Sequence, residues 1–534
     1  MTPADHTADR SGDAASGRGG ESAPFDVSTA TGLAMALRDL LEASYRLATQ
    51  AGLDTPVAAK IGAHLGCELK DMAFVEESFP LWEHANLQRG IDAYLADHSP
   101  AAEWFGLSGM NRDHEDLATM ITRPGPGYEI SAVTHGTAAI GPDEAMEVVQ
   151  FGLVLSTAPD DSPVVIGLRA SDRFGPSECR MEILAAQRPA AVAVRGEIER
   201  LMRVHDVFRG QVLSFGVSEH RGNELLSFLP RPDLGAEQVV LPAGVLDSIE
   251  RHVISITSHA ERLRAVGQHL KRGLLLHGFP GTGKTHTVRY LMGRMSGCTV
   301  ILMTGQAMRF IEPAAALARR LQPSMLVLED VDLVAQDRSF GPDSSPLLFS
   351  LLEAMDGIGA DADVTFVLTT NRAGMLERAL VDRPGRVDLA VEIPKPDEQA
   401  RERLLRLYAG TLELEADLAP VIAATEGVTA SFIKELLRRA VLAAFRTSDD
   451  VRSLTDADLA AAAEELSEQR QALTRSLLGH SPGDGEAGDD TGGEAWDDTG
   501  GEPQLFPAPP GGRMAVPGRR AWRSPAVYLR SRGE

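Results

Sequence analysis

Apolar residues recur at helical spacing near the start of the chain. Leu33, Leu37 and Leu40 lie three, four or seven positions apart, which is the spacing of one helix face. Similar spacings predict a helical N-terminal region over residues 26–120. A helix bundle is favoured over a dedicated binding site, because such a stripe usually faces a core. A long helical pair that serves as an adaptor, or as a contact between copies, is the alternative.

The pattern changes to short β-compatible runs from about residue 124. These runs are residues 148–156, 164–168, 179–184 and 207–215. A helix is predicted over residues 190–204, directly after Pro189, since proline suits the first position of a helix. Residues 121–236 are therefore expected to form an α+β region. Its residues show no catalytic constellation.

Apolar strands alternate with helical stretches over residues 237–395. The predicted strands are residues 273–277, 299–304, 323–330 and 364–370. Alternation of this kind predicts an α/β fold with a parallel sheet and helices on both faces. Residues 396–472 return to a helical pattern with little β signal, which suits a small helical lid.

The two ends of the chain have a different composition. Residues 1–25 are polar and rich in Gly, Ser and Asp, and residues 473–534 are rich in Gly, Asp and Pro. Both segments are predicted to be disordered, because they hold too few apolar residues to bury. The last part contains an Asp-Asp-Thr-Gly-Gly-Glu repeat at residues 489 and 497.

Composition narrows the class of protein. The formal charge is −24 over 534 residues, which argues against a general nucleic-acid binder with a basic face. Three scattered cysteines indicate reduced thiols rather than a disulfide framework. No apolar run reaches about 18 residues and no signal core is present, so we expect a soluble, cytoplasmic protein without a membrane span.

One stretch carries the strongest chemical signal. Residues 278–285 match the pattern G-x-x-x-x-G-K-T, which forms a phosphate-binding loop between a strand and a helix. Glycines let backbone N–H groups turn around a phosphate, Lys284 reaches the β- and γ-phosphates, and Thr285 holds Mg²⁺. The predicted ATP-binding residues are Gly278, Phe279, Pro280, Gly281, Thr282, Gly283, Lys284, Thr285 and His286.

Further candidate residues follow the predicted strands. Glu329 and Asp330 end one strand, where a carboxylate can hold Mg²⁺ and another can orient the attacking water. Asn371 ends the next strand and can hydrogen-bond the γ-phosphate or that water. Arg383 and Arg386 offer guanidinium groups, which suit bidentate contact to phosphate. The alternatives are a turn cap for Asn371 and surface ion pairs for the arginines.

Residues of about 240–470 resemble an ATPase module of the AAA family. The matching segments are residues 323–332 (Walker B), 351–357 (the helix that follows), 369–372 (sensor 1), 380–388 (second region of homology) and 427–433 (sensor 2). The resemblance implies a P-loop NTPase fold, ATP hydrolysis with Mg²⁺, and a homo-oligomeric ring, expected to be a hexamer. It also implies that Arg383 and Arg386 reach the nucleotide of a neighbouring subunit.

The chain departs from the family pattern at two points. The family usually ends Walker B in Asp-Glu, whereas Glu329 precedes Asp330 here. By position Glu329 serves the metal and Asp330, one methylene shorter than glutamate, serves as the base, so slow turnover is expected. Threading members also carry an aromatic-hydrophobic-Gly pore loop, and here Phe310 lacks the glycine.

Two functions are compatible with these residues. The first is an ATP-driven motor that remodels or unfolds protein clients, with a client that the residues do not name. The second is a nucleotide-gated scaffold with little turnover. Resemblance to membrane-anchored AAA proteases stops at the ATPase, because no His-Glu-x-x-His follows residue 400. The adenine pocket is expected near Val253 to Ile256.

Overall fold

The computed structural model describes residues 27–50, 55–109, 112, 115–122, 128–171, 178–217, 224–332, 346–372, 386–446 and 450–477. By its contacts the chain divides at residue 469 into two units, and the site described below lies in the first. No helix within the described ranges has the length and apolar character needed to cross a membrane.

The helices are α1 (Val27–Gln50), α2 (Pro56–Leu65), α3 (His84–His98), α4 (Leu117–Thr122), α5 (Arg188–Val204), α6 (Val245–Ser258), α7 (Ala260–Ala265), α8 (Lys284–Arg294), α9 (Ile311–Arg320), α10 (Pro346–Asp356), α11 (Glu398–Ala409), α12 (Leu418–Ala424), α13 (Ala430–Ala444) and α14 (Asp456–Leu477). The N-terminal strands are β1 (Ala73–Pro80), β2 (Trp104–Ser108), β3 (Glu129–Ser131), β4 (Thr134–Ala139), β5 (Ala145–Thr157), β6 (Pro163–Ser171) and β7 (Glu178–Ala185). The later strands are β8 (Val212–Val217), β9 (Glu224–Leu229), β10 (Arg272–His277), β11 (Thr299–Thr304), β12 (Ser324–Glu329), β13 (Val364–Thr370), β14 (Leu389–Glu392), β15 (Glu413–Leu414) and β16 (Ser453–Leu454).

The first seven strands form one antiparallel sheet in the order β1-β7-β6-β5-β2-β3, with β4 also paired to β5. The expected helical region 26–120 therefore needs correction, since β1 and β2 lie inside it and pair with strands of the predicted α+β region. Pairing with β7 along the full length of β1 decides this, because strand preference depends on tertiary neighbours.

Helix α1 forms where the leucine spacing predicts a helix, but within the described part of the chain its leucines are not packed into a bundle. Leu33 is 72% exposed and Leu40 is 67% exposed. The expectation that this stripe faces a core is wrong for these side chains. Helical spacing fixes which residues share a face, but it does not supply a partner for that face.

The second sheet has the order β14-β10-β13-β12-β11-β8-β9, and all neighbours run parallel except β8 and β9. Alternate residues of its strands face opposite sides. Ile301 packs with α9 and α10, and Val300 packs with α6 and α8. Helices thus cover both faces, which explains the near-continuous apolar runs in the sequence. The predicted parallel sheet is confirmed.

The second sheet is wider than the sequence predicts. Strands β8 and β9 lie before the expected boundary at residues 236 and 237, yet β8 pairs in parallel with β11. The predicted boundary therefore differs from the structure, because these strands extend the sheet of the α/β core. Trp82 packs against Phe208 and Phe215, with ring centroids 5.7 and 6.1 Å apart, so the N-terminal region is joined to this extension.

An ion cluster also joins the N-terminal region to the α/β core. Arg320, at the end of α9, lies 2.7 Å from Glu83 and 3.1 Å from Asp206. Both carboxylates are almost fully buried. Asn86 donates one hydrogen bond to each of them, at 2.7 and 3.3 Å. Two buried acids share one arginine, so the contact ties the two parts together electrostatically.

Helices α11 to α14 form a hydrophobic cluster of their own, separate from the clusters on the second sheet. Asp397 caps α11 by accepting a hydrogen bond from the backbone N–H of Ala400 at 2.8 Å. The helical pattern of residues 396–472 is confirmed within the described part, apart from the short pair β15 and β16.

Candidate active site

The phosphate-loop segment, residues 278–285, joins β10 to α8 at the carboxyl edge of the second sheet. Its three glycines, Gly278, Gly281 and Gly283, have φ angles of 146°, 77° and 115°. A Cβ atom at Gly278 would lie 2.2 Å from the carbonyl oxygen of Ile393. Positive φ and this close approach together require glycine. The loop sequence is therefore a geometric requirement of the turn.

Lys284 starts α8 and its ammonium group turns back over the loop. Its Nζ donates to the carbonyls of Gly278 and Phe279 at 2.9 and 3.0 Å, and to Asn371 Oδ1 at 2.8 Å. Burial lowers the pKa of Lys284, and the nearby Asp330 counteracts part of that effect. A positive charge is thus held at the centre of the loop, where the chemistry of phosphate binding needs it.

Glu329 ends β12 close to the loop. Burial raises the pKa of its carboxyl group, and a hydrogen bond from the Thr285 hydroxyl lowers it. The two predicted metal ligands are therefore neighbours in space. A hydroxyl oxygen beside a carboxylate is an all-oxygen donor set, which is the set that Mg²⁺ prefers. The residues present fit this metal.

Asp330 and Asn371 meet at the same edge. Asn371 Nδ2 donates to Asp330 Oδ1 at 3.2 Å, while Asn371 Oδ1 accepts the bond from Lys284. Asp332 Oδ1 accepts from the backbone N–H of Asn371 and from the Thr370 hydroxyl, both at 3.0 Å. The amide of Asn371 thus bridges the loop lysine and the proposed base. Sequence reasoning missed the support from Asp332, although its place two residues after Asp330 was a usable signal.

The arginine predictions have different outcomes. Arg386 donates to both carboxylate oxygens of Asp356 in its own chain, at 3.0 and 2.7 Å, and its side chain is only 9% exposed. This pairing raises the pKa of Arg386. The geometry differs from the expected contact to a neighbouring subunit, because the guanidinium fork is already engaged. Arg383 lies outside the described residues.

A cavity of about 390 Å³ opens beside the phosphate loop. Its walls are residues 240–243, Thr282, side chains between 394 and 404, and Ala430. None of the residues from Val253 to Ile256, near which the adenine pocket is expected, lines this cavity, and Val253 is fully buried under the sheet. The apolar side chain of Val253 packs into the core together with Ile249 of the same helix.

The C-terminal helices also reach the phosphate loop. At the first turn of α13, the backbone N–H and hydroxyl of Ser431 donate to the carbonyl of Gly281, at 3.0 and 3.2 Å. Ser431 belongs to the segment that resembles sensor 2. Contact with the loop places this segment beside the cavity, so a movement of the C-terminal helices would displace the phosphate loop.

Three other predicted residues lie at the rim. His286 Nε2 lies 3.0 Å from the carbonyl of Gln238. Phe279 is 60% exposed, and the ammonium of Lys395 lies 4.8 Å from its ring. Pro280 is also exposed. The side chains of Phe279 and Pro280 are thus exposed, whereas the backbone carbonyl of Phe279 accepts a hydrogen bond from Lys284.

Phe310 ends a six-residue 3-10 turn, Gly305–Phe310, between β11 and α9. Its ring is half-buried against the core cluster, and the guanidinium carbon of Arg309 lies 4.7 Å from the ring centre. The aromatic residue of the expected pore segment is therefore packed inward in this chain.

Comparisons with known proteins find relatives of the same part of the chain. The model of the "ATPase family associated with various cellular activities (AAA)" matches residues 274–395. An ATP-dependent zinc metalloprotease FtsH 2 of Symbiobacterium thermophilum is 30% identical over 222 residues, covering 39% of this chain and 38% of the relative. An FtsH 3 of Sorangium cellulosum is 33% identical over 217 residues, covering 38% and 36%.

A third relative is the proteasome-activating nucleotidase 2 of Halobacterium salinarum. It is 30% identical over 205 residues, covering 36% of this chain and 50% of the relative. The chain thus spans between about a third and a half of the length of these relatives. Residues 274–395, which the family model matches, contain the phosphate loop, the acids that end β12, and Asn371. Residues 274–395 are thus a domain of the AAA family of ATPases.

Proposed function

We propose that this chain is an ATP-hydrolysing, Mg²⁺-dependent motor that remodels or unfolds protein clients as a homo-oligomeric ring, expected to be a hexamer. The observation that carries the proposal is the connection of Lys284, Asn371 and Asp330 at the carboxyl edge of the sheet, with Thr285 and Glu329 beside them. A cytoplasmic location completes the proposal and is supported by composition alone.

Each residue has a defined task in the proposed reaction. The loop backbone and Lys284 bind the phosphates, and Thr285 with Glu329 would hold Mg²⁺, which supplies charge neutralisation at the phosphate oxygens. Asp330 accepts a proton from the attacking water, and Asn371 orients the water or the γ-phosphate. The 390 Å³ cavity receives the adenine base of ATP. Ser431 links this cleft to the C-terminal helices, which act as a lid.

We assign the trans-acting role to Arg383 rather than to both arginines. Arg386 is held by Asp356 within one chain, which supports a role in shaping the start of β14. Arg383 keeps the role by its position in the sequence, since an arginine that reaches a neighbour's phosphates can raise the rate by about 10³–10⁵.

The proposal predicts that hydrolysis depends on assembly. ATPase rate is measured against protein concentration, with light scattering after size exclusion on the same samples. We expect the specific rate to rise as rings form, and to be lost in Lys284→Ala and Arg383→Ala. Lys70→Ala is the matched control, because Lys70 is 73% exposed and forms an ion pair with the surface residue Glu68. A rate independent of concentration would contradict the trans-acting arginine.

The second candidate is a nucleotide-gated scaffold with little turnover. The packing of Phe310 favours it, because a ring that is half-buried against the core is less available to contact a threaded client. The shorter carboxylate of Asp330 favours it too. Tight ATP binding by assembled wild-type protein, with no phosphate release above that of Lys284→Ala, would establish the scaffold and reject the motor.

A further inference from the structure

The backbone of Asp330 has an unusual conformation. Its φ angle is +53°, in the left-handed region that residues other than glycine seldom adopt. Asp and Asn enter this region more easily than longer side chains, because their short polar groups bond locally. The residue order Glu329-Asp330 therefore places the better-suited acid at the left-handed position.

Thr369 holds this conformation from the neighbouring strand. The β12–β13 ladder ends at the pair Leu328 and Leu368, so the N–H of Asp330 lies beyond the last ladder pair. The hydroxyl of Thr369 accepts that N–H at 2.9 Å. Thr369 is itself 1% exposed, so water does not compete easily for the hydroxyl. A side chain replaces the missing ladder acceptor.

The conformation of Asp330 sets the direction of its carboxylate. With the backbone turned, Oδ1 lies 3.2 Å from Asn371 Nδ2, and Asn371 in turn meets Lys284. A change of φ at residue 330 would swing the carboxylate out of this line. Thr369 touches neither Asn371 nor Lys284 through any of these bonds, so it acts through the backbone of Asp330.

We propose that Thr369 is a positioning residue for ATP hydrolysis, which fixes the left-handed turn at Asp330 and aims its carboxylate at the attacking water. The inference rests on the proposed function, in which Asp330 is the base. It adds one requirement to the order Glu329-Asp330. Because residue 330 is an aspartate in the left-handed conformation, residue 369 must carry a hydroxyl group.

The chain offers a matched control in Thr365. Thr365 lies on the same strand, is fully buried, and its hydroxyl has no hydrogen-bond partner among the described residues. Thr369→Val and Thr365→Val therefore make the same chemical change at two buried sites. Only the first removes an acceptor that serves Asp330. Thr369→Ser keeps the hydroxyl and is the rescue variant.

The experiment measures kcat, KM and the Kd of a fluorescent ATP analogue for wild type and these three variants. For Thr369→Val we expect kcat to fall about tenfold or more, with KM and Kd changed less than about twofold. Thr369→Ser and Thr365→Val should keep the wild-type kcat. An unchanged kcat in Thr369→Val, or an equal fall in Thr369→Ser, would overturn the inference.

A second readout does not depend on turnover. Hydrogen exchange of the Asp330 amide, resolved by fragmentation mass spectrometry, should become faster in Thr369→Val and remain slow in Thr369→Ser and Thr365→Val. Equal exchange in Thr369→Val and wild type would refute the Thr369–Asp330 bond whatever the ATPase rate. If wild type binds ATP without turnover, the proposed function and the catalytic role of Thr369 fail together, and exchange alone decides the bond.

Discussion

Gly278 shows at the scale of one residue why the phosphate loop has its sequence. Its φ of 146° lies in a region that side chains rarely adopt, and the carbonyl of Ile393 occupies the place of a Cβ atom. Backbone carbonyls cannot move aside as a flexible side chain can. The segment after β14 therefore forces glycine at the first position of the loop, independently of any phosphate contact.

A single substitution tests this reasoning. Gly278→Ala should weaken ATP binding at least about tenfold, because the added Cβ displaces the loop or the Ile393 carbonyl. Gly297→Ala is the control, since a Cβ there meets nothing within 4 Å and its residue is exposed. Equilibrium titration with a fluorescent ATP analogue gives the affinities. Wild-type affinity in Gly278→Ala would show that the loop can adjust.

At the scale of elements, Arg386 joins the end of α10 to the start of β14. Its bidentate pair with Asp356 brings together two segments that are separate in sequence. The carbonyl of Arg386 also lies where a Cβ of Gly273 would be, so β10 and the segment before β14 are in close contact. The pair thus supports the edge strand β14 beside the amino end of β10, at the end of β10 opposite the phosphate loop.

The Arg386–Asp356 pair predicts that replacing either residue lowers the stability of the protein by the same amount. Arg386→Ala and Asp356→Ala should each lower the free energy of unfolding by about 1–2 kcal/mol, since the arginine is buried and the carboxylate is half-exposed. The double variant should lose little more than either one. Denaturant unfolding at concentrations below ring assembly measures this. Full stability of Arg386→Ala would instead favour a contact made only with a neighbouring subunit.

At the scale of the whole molecule, the N-terminal region and the AAA domain share structure instead of being linked by a tether. Strands β8 and β9 extend the sheet of the AAA domain, and the aromatic contact of Trp82 lies on this extension. Arg320 adds the ion cluster with Glu83 and Asp206. The end of α9 is therefore anchored to the N-terminal region, and α9 begins directly after Phe310. Movement in one part must be accommodated by the other.

The ion cluster of Arg320, Glu83 and Asp206 predicts a loss of stability that depends on pH. Arg320→Ala leaves Glu83 and Asp206 buried without their cation, so the free energy of unfolding at neutral pH should fall by about 2–3 kcal/mol. Burial already raises the pKa of Glu83, and Arg320 opposes that rise. A carboxyl group whose pKa is raised by folding stabilises the folded state at pH values below its ordinary pKa. This contribution is lost as the pH rises through the pKa of the group in the folded state. The deficit of the variant should therefore shrink as pH falls toward 5.

Arg319→Ala is the control for this experiment, because Arg319 neighbours Arg320 and its guanidinium makes an exposed hydrogen bond to the carbonyl of Gly357. Chemical denaturation at several pH values gives the free energies. A deficit in Arg320→Ala that is constant with pH would show that the carboxylates are not what the arginine supports.

The sequence was most informative where residue type and spacing act locally. The strands at 299–304 and 364–370 have the bounds that the apolar runs predicted, and the phosphate loop lies between a strand and a helix as expected. Lys284 was predicted from the phosphate-loop pattern, and Asn371 and Asp330 were predicted from their places at strand ends. Parallel strands bring their carboxyl ends to one edge, so chain order alone implied that these residues meet.

Other features depended on partners that are distant in the chain. Whether residues 73–80 form a strand was decided by β7, and whether Arg386 is available was decided by Asp356. The cavity beside the phosphate loop is made by segments from residue 240 to residue 430, which no local pattern connects. Thr369 gained its place opposite Asp330 only through the β12–β13 register.

The sequence by itself thus determined the parallel sheet, the phosphate loop and the acids at its edge, because period, glycine content and strand-end position are local properties of the chain. The tertiary structure decided which strands join that sheet, that Arg386 pairs with Asp356, where the cavity beside the phosphate loop lies, and how Asp330 is turned. Those outcomes depend on pairing and burial between residues far apart in sequence, and their energies exist only once the chain has folded.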